Sequence, residues 1–222
     1  MESVDNLPRS TRVLGVFAKE PIPGQVKTRL TPHLSAEQAA GLYHTSLLET
    51  VATMADGDFD LVLCYSGDKN YFRQTFPGVE LYEQHGDDLG ARMENVLRQF
   101  LQQGYQQAML IGSDSPDLPL LLVDQAFAAL SSYSLVLAPA HDGGYVLIGE
   151  SCHCPHLFED MPWSSADVLS LTRQRAEASG IEYFLLPAWD DLDDPGALQR
   201  FLRRSPESRT AKYLRSHRPE TE

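Results

Sequence analysis

The sequence predicts an α/β fold with a mainly parallel sheet, and three observations carry that reading. Short β-like runs alternate with helix-like patterns along the chain. The run 108–112 is apolar throughout, as a strand covered on both faces must be. The stretches between strands carry helix start and stop signals around amphipathic patterns.

Residues 12–18 read as the first strand. A Pro/Gly-rich loop follows, and Ser35 stands as an N-cap with Gln38 three residues on, a capping box. The helix it opens places Ala40, Tyr43, Leu47, Val51 and Met54 on one face. Residues 60–65 give a second strand and 79–82 a short third. A helix over 89–103, with Met93, Val96, Leu97, Phe100 and Leu101 apolar, is stopped by Gly104. After strand 108–112 comes a helix over 117–131, entered past Pro119. Strands 134–139 and 145–149 flank the turn His141-Asp142-Gly143-Gly144. A helix from Ser165 ends at Gly180, strand 181–186 follows, and Pro195 suits the first position of a closing helix. No repeat, low-complexity stretch or linker interrupts this order. One domain over 1–222 is therefore expected, with a core at about 12–204 and a polar, frayed tail from Ser205.

Composition sets the class. Apolar residues make up 42% of the chain and charged ones 22%, ordinary for a globular protein. No apolar run reaches membrane-spanning length, and the run 13–18 is too short for a signal segment and meets Lys19 and Glu20 at once. A cytoplasmic location is expected. The odd count of 3 cysteines argues against a disulfide framework. A net charge of −13 disfavours nucleic acid and anionic membrane as partners, since both require a basic face. A small phosphorylated ligand needs only a local basic cluster or a metal ion. A homodimer is compatible with the sequence.

Four constellations could carry chemistry. The loop Lys19-Glu20-Pro21-Ile22-Pro23-Gly24-Gln25-Val26-Lys27-Thr28-Arg29-Leu30 gathers three cations where the first strand hands over to a helix. In open α/β sheets ligands bind at that carboxyl end, and Lys and Arg there can neutralise phosphate oxygens. A Walker A loop is excluded, because Pro21 and Val26 stand where its glycines belong. The second constellation is Ile111-Gly112-Ser113-Asp114-Ser115-Pro116-Asp117-Leu118. Asp114 ends a buried strand, placed to hold Mg²⁺ or Mn²⁺ by oxygen ligation, and Asp117 is either a further ligand or a helix cap. In the third, Asp142-Gly143-Gly144-Tyr145, paired glycines admit close approach of a ligand, or simply make a hairpin turn. The fourth, Asp190-Asp191-Leu192-Asp193-Asp194-Pro195, holds more acids than capping a helix needs, so a second metal carboxylate arriving here is expected. Gly86-Asp87-Asp88-Leu89-Gly90-Ala91-Arg92-Met93 is a weaker signal, with Gly90 small enough to admit a flat base. Cys152-His153-Cys154-Pro155-His156 lacks the spacing of a four-ligand zinc site and reads as a loop.

Taken together, Phe17-Ala18-Lys19, the stretch Pro23 to Leu30, Asp88 to Met93, Ile111 to Leu118, Asp142 to Tyr145 and Trp163-Ser164 resemble a bacterial glycosyltransferase-like family of small GT-A proteins. Some members are encoded beside radical-SAM genes. The layout is more distantly similar to molybdenum-cofactor and 2-phospholactate guanylyltransferases. The resemblance implies a GT-A-like, nucleotide-diphospho-sugar transferase three-layer sandwich. It implies nucleotide contacts by Ala18, Lys19, Gly24, Lys27, Thr28, Arg29, Gly90, Arg92 and Ser113, and an acceptor side formed by Gly143, Gly144, Tyr145 and Trp163. Leu192-Asp193-Asp194-Pro195-Gly196-Ala197-Leu198 resembles the Asp-Thr-Pro-Glu-Asp-Leu segment of sugar nucleotidyltransferases, making Asp193 a metal candidate beside Asp114 and Asp117.

The expected activity is metal-dependent transfer from a nucleotide-activated donor to a small acceptor. Lys27 and Arg29 would offset leaving-group charge, and Asp142 would serve as general base. The first loop lacks the Gly-Gly-x-Ser/Thr-x-Arg-Met-Gly form of true nucleotidyltransferases, which tilts the expectation towards a nucleotide-sugar donor. The rival readings are nucleotidyl transfer from a nucleoside triphosphate and a non-catalytic nucleotide sensor. A Rossmann dehydrogenase is disfavoured, since no Gly-x-Gly-x-x-Gly follows a strand, and an aspartyl-phosphate hydrolase by Lys19 where its nucleophile would stand.

Overall fold

The computed structural model describes residues 10–31 and 33–217. Along the chain run β1 (Arg12–Lys19), α1 (Ala36–Met54), β2 (Asp60–Ser66), α2 (Lys69–Thr75), β3 (Glu80–Glu83), α3 (Leu89–Gln102), β4 (Gln107–Gly112) and α4 (Leu120–Ala129). Then follow β5 (Leu135–Pro139), β6 (Tyr145–Glu150), α5 (Val168–Ala178), β7 (Tyr183–Leu185), α6 (Pro195–Arg204) and α7 (Arg209–His217). The strands form one sheet in the order β3-β2-β1-β4-β6-β5-β7. Only β6 runs against its neighbours, pairing antiparallel with β4 and β5, while the other ladders are parallel. The mainly parallel α/β sheet expected from the sequence is the observed one.

Side chains alternate across each strand, and so the sheet carries a core on either face. Leu14, Val16 and Ala18 of β1 join Leu47 and Val51 of α1 and Phe127 of α4. Val13 faces the other way, towards Val96, Leu97 and Phe100 of α3 and Ala176 of α5. The result is three layers, helices on both sides of the sheet. A third cluster lies beside these. It joins Leu30, Leu34, Leu42 of α1, Leu192, Phe201 of α6 and Leu214 of α7.

The capping box forms as read: Gln38 N–H donates to Ser35 Oγ at 3.2 Å, and Ser35 N–H to Gln38 Oε1 at 2.8 Å. Three expectations need correction. Residues 69–75, passed over in the sequence, form α2, capped by Asp68; with Phe72 its one buried residue, it is too short to show a period. α5 begins at Val168 rather than near Ser165, because residues 164–167 pack against the β5–β6 turn, where the Gly143 carbonyl accepts from Leu169 N–H at 2.9 Å. The tail after Ser205 does not fray at once. Residues 209–217 are helical, with Ala211 and Leu214 buried, and both oxygens of Glu49 on α1 accept N–H bonds, at 3.0 Å, from Arg209 and Thr210.

Candidate functional site

A cavity of about 640 Å³ opens at the carboxyl edge of β1 and β4, where β6, being antiparallel, begins. Its wall takes Lys19 from the end of β1, Lys27, Thr28 and Arg29 from the following loop, Tyr43 from α1 and Arg92 from α3. Asp114 and Ser113 come from the end of β4, Tyr145 from β6, and Asp193 from the segment before α6.

Local chemistry explains how the basic loop reaches this place. Ile22-Pro23-Gly24-Gln25 is a β-turn closed by Gln25 N–H to Ile22 C=O at 3.0 Å, with Gly24 at a φ of 78°. Gly24 therefore turns the chain and is absent from the cavity wall, contrary to its expected nucleotide contact. A 3-10 turn at Thr28–Leu30 follows, with Lys27 left-handed at φ 50°, and Leu30 anchors it in the third hydrophobic cluster. Ala18 is also displaced from its expected role: its side chain is buried among Val16, Leu47 and Leu63, and β1 reaches the cavity through its neighbours Phe17 and Lys19. The Lys19 N–H donates to the Tyr43 hydroxyl at 2.8 Å, which pairs with Ser113 Oγ at 2.7 Å. Tyr43 is thus a wall residue that the apolar helical pattern reads only as core.

The acidic side is assembled from two distant stretches. Gly112 leaves room for the Asp114 carboxylate, since a Cβ there would lie 2.5 Å from Asp114 Oδ1. Leu192 N–H donates to the Asp114 carbonyl at 2.9 Å and brings the segment 190–194 to the end of β4. Carboxylate oxygens of Asp114, Asp191 and Asp193 there lie within 4.8 Å of one another. A set of three carboxylate donors is the chemistry of a hard divalent cation such as Mg²⁺ or Mn²⁺. Lys27 supplies positive charge among them, its Nζ 3.1 Å from Asp114 Oδ2 and 2.5 Å from Asp193 Oδ1. Its side chain is 3% exposed. Burial alone would lower the ammonium pKa, but Asp114 and Asp193 outweigh it and hold the group above its ordinary value. Burial, then Asp114 and Asp193, push the Asp191 carboxyl up from 3.8 to about 7. Burial works against ionised Asp193 too, yet Lys27 and Arg29 hold its pKa below the ordinary value.

Asp117 is not part of this group. Its carboxylate accepts from Arg204 Nε at 2.7 Å, from Ser205 Oγ at 2.8 Å and from Trp189 Nε1 at 3.2 Å. It caps no helix either, since Pro119 takes the N-cap position of α4. Arg204 also reaches Asp190 Oδ2 at 2.7 Å and lies over the Trp189 ring, so Asp117, Asp190 and Arg204 fasten α6 and the acidic segment to the end of β4.

The remaining candidates divide between wall and scaffold. Arg29, 58% exposed, stands 3.7 Å from Asp193. Arg92 donates through Nε to the Gly86 carbonyl at 3.0 Å and lines the cavity with Leu89 of the same motif and with Gln84, which no sequence signal marked. The space above Gly90 is filled by protein and not left for a base: a Cβ would lie 2.6 Å from Trp163 Nε1. Trp163 accordingly packs on α3 beside the cavity, and its Ser164 neighbour reaches the wall. Asp142 lies in a turn between two antiparallel strands, the plainer of its two readings; its Oδ1 accepts from Gly144 N–H at 3.0 Å and it does not line the cavity. Gly143, at φ 93°, packs against the backbone of Ala166. Cys152 and His153 take no part: His153 bridges buried Glu150 at 3.2 Å and Glu94 at 2.9 Å, at the far end of β6.

Sheet order, layering and cavity together define the nucleotide-diphospho-sugar transferase type of α/β fold. Within it, the chain belongs to the family described as an uncharacterized protein conserved in bacteria (DUF2064), which matches residues 47–165. A candidate nucleotide-diphospho-sugar transferase from Desulfovibrio desulfuricans G20 superposes with a TM-score of 0.87 at 34% identity, covering 93% of this chain and 95% of that one. The 2-phospho-L-lactate guanylyltransferase of Methanothermobacter thermautotrophicus is 28% identical over 120 residues. That match spans 53% of either protein, about half the length of the relative. A nucleotidyl transferase from Methanothermobacter shares the fold alone, with a TM-score of 0.57 at 12% identity over 92% of this chain and 98% of that one.

Proposed function

We infer that the protein is a metal-dependent transferase that takes a group from a nucleotide-activated donor. The observation that carries this is the meeting of three carboxylates, Asp114, Asp191 and Asp193, with the cations Lys19, Lys27, Arg29 and Arg92 around one cavity. A volume of about 640 Å³ suits a nucleotide with part of an acceptor. Asp114, Asp191 and Asp193 would hold Mg²⁺ or Mn²⁺, which when bound neutralises phosphate charge and orients the donor. Arg29 and Arg92 offer planar donor sets to phosphate oxygens, and Lys19 and Lys27 offer point charges. Catalysis by these groups is mostly positioning and electrostatic.

A nucleotide-sugar donor is the favoured reading. The basic loop lacks the Gly-Gly-x-Ser/Thr-x-Arg-Met-Gly form of true nucleotidyltransferases and presents the side-chain cations Lys19, Lys27 and Arg29 to the cavity. The likeness at 34% identity to a candidate nucleotide-diphospho-sugar transferase supports it. Nucleotidyl transfer is the second reading, favoured by the likeness to a guanylyltransferase. Asp142 acts as general base only for an acceptor hydroxyl that extends to the β5–β6 turn, where the carboxylate is exposed.

The test is a panel of nucleoside triphosphates and nucleotide-sugars, each with and without Mn²⁺, read by thermal shift and calorimetry. A bound donor at about 100 times its dissociation constant adds about 2.7 kcal/mol of stability. Asp114→Ala is expected to remove the Mn²⁺-dependent part of that gain, and unchanged affinity in the variant would overturn the assignment. Release of a nucleoside diphosphate marks sugar transfer, whereas release of pyrophosphate marks nucleotidyl transfer.

A further inference from the structure

The Lys27 ammonium is bonded to two members of the carboxylate triad at once, Asp114 at 3.1 Å and Asp193 at 2.5 Å, with its side chain 3% exposed. Both carboxylates belong to the donor set whose oxygens cluster within 4.8 Å. A cluster of three carboxylates this tight requires compensating positive charge, and here the chain provides it from within. A divalent cation needs the same oxygens, and a dication beside an ammonium in a half-buried site is repelled by it. The two occupants therefore exclude one another.

Building on the transferase reading above, we propose that Lys27 is the resident counterion of the acidic triad and competes with the divalent cation for it, so that cation and phosphate donor load together. Lys27 is suited to exchange. Its ammonium is a compact charge on a flexible four-carbon stem. Its backbone sits at φ 50° and ψ 36° between the Pro-Gly turn and the 3-10 turn, and the cavity wall runs from Lys27 through Thr28 to Arg29. When the triad is taken by a cation, the freed ammonium needs an anion, and a donor diphosphate in the same cavity is that anion. The metal alone then meets the cost of expelling Lys27, whereas metal with phosphate does not, which is positive coupling between the two ligands. The arrangement would weaken the triad's hold on free cations until a phosphate donor arrives.

The test measures Mn²⁺ binding by the paramagnetic resonance signal of the free ion, for the full chain and for Lys27→Met and Lys27→Gln. Without phosphate, both variants should bind Mn²⁺ about tenfold more tightly than the parent, within the range of typical coupling factors. With inorganic pyrophosphate present the order should reverse, and Mn²⁺ with pyrophosphate should raise the melting temperature of the parent more than that of either variant. Equal or weaker Mn²⁺ binding by folded variants overturns the competition, while leaving a metal-binding triad intact. Absence of Mn²⁺ binding in parent and variants alike overturns the metal site itself, and the competition with it. A measurement on the unaltered chain does not depend on variant folding: the side-chain ¹⁵N resonance of Lys27 should move as Mg²⁺ saturates the protein. A resonance that stays in place at saturation overturns the proposal.

Discussion

Asp190, Asp191, Asp193 and Asp194 crowd into five residues, and they divide among three chemistries. Asp190 is 3% exposed and bound to Arg200 and Arg204. Asp194 caps α6, accepting from Gly196 N–H at 2.7 Å and Ala197 N–H at 2.9 Å. Asp193 lines the cavity, and Asp191 joins it and Asp114 in the carboxylate group, on the side opposite to buried Leu192. A pH effect follows from Asp191. Burial and the carboxylates of Asp114 and Asp193 raise its pKa to about 7 from 3.8, so between those values the folded chain holds a proton that the unfolded chain has released. Stability without metal accordingly falls as pH rises through that window, and ligation of the ionised carboxylate recovers it. The Mn²⁺-induced rise in melting temperature should be several degrees larger at about pH 8 than at about pH 5.5, and Asp191→Asn should flatten that difference. A pH-independent Mn²⁺ shift in the parent chain would show that Asp191 is not a ligand. Charge density marks this segment in the sequence, and the resemblance of Leu192 to Leu198 to the Asp-Thr-Pro-Glu-Asp-Leu segment points within it to Asp193. The signal that separates Asp191 from Asp190 is Leu192, whose apolar side chain in an acidic run sets the alternation of faces.

At the scale of elements, the packing of α3 against the loop 161–167 depends on Gly90. It is buried one residue into the helix, and the Trp163 indole fills the space a side chain would need. Overpacking of this kind costs about 1–3 kcal/mol. Gly90→Ala should lower stability by about that amount and shift tryptophan emission to the red as Trp163 is displaced, with Ser164 moving from the cavity wall. Unchanged emission and melting temperature would place the indole elsewhere. The sequence shows a small residue near a helix start, and the spacing of strands and helices follows directly from its apolar periods, which is why β1, α1 and β4 are legible to within a residue or so. It does not show what comes to rest on Gly90, because Trp163 lies 73 positions further on in a loop without a period. Lys27, Arg29 and Asp114 are legible by a different route: charge just past the end of an apolar strand is already a statement about place. Asp117 stands in the same motif as Asp114, and Trp189, Arg204 and Ser205, 72 to 88 residues away, take it out of the site.

For the whole molecule, the third hydrophobic cluster links the two halves of the site. Leu30 ends the basic loop, Leu192 sits within the acidic segment, and both pack with Leu42 of α1, Phe201 of α6 and Leu214 of α7. The position of Lys27 relative to Asp193 therefore depends on a core that touches no ligand. α7 completes that core although its sequence is polar, because its N-terminal N–H groups are satisfied by Glu49, 160 residues earlier, an arrangement that no local capping signal announces. Leu214, 1% exposed, should cost about 2–5 kcal/mol on truncation to Ala, as buried leucines do. Leu130, 3% exposed at the end of α4, belongs to the main cluster on the sheet and serves as the control. The two variants should lose comparable stability, but Leu214→Ala alone should also weaken metal-dependent donor binding, measured at a temperature where both remain folded. Equal binding by both variants would mean that the two loops are held independently of the cluster. A selective loss in Leu214→Ala would trace the geometry of the site to the helix farthest along the described chain.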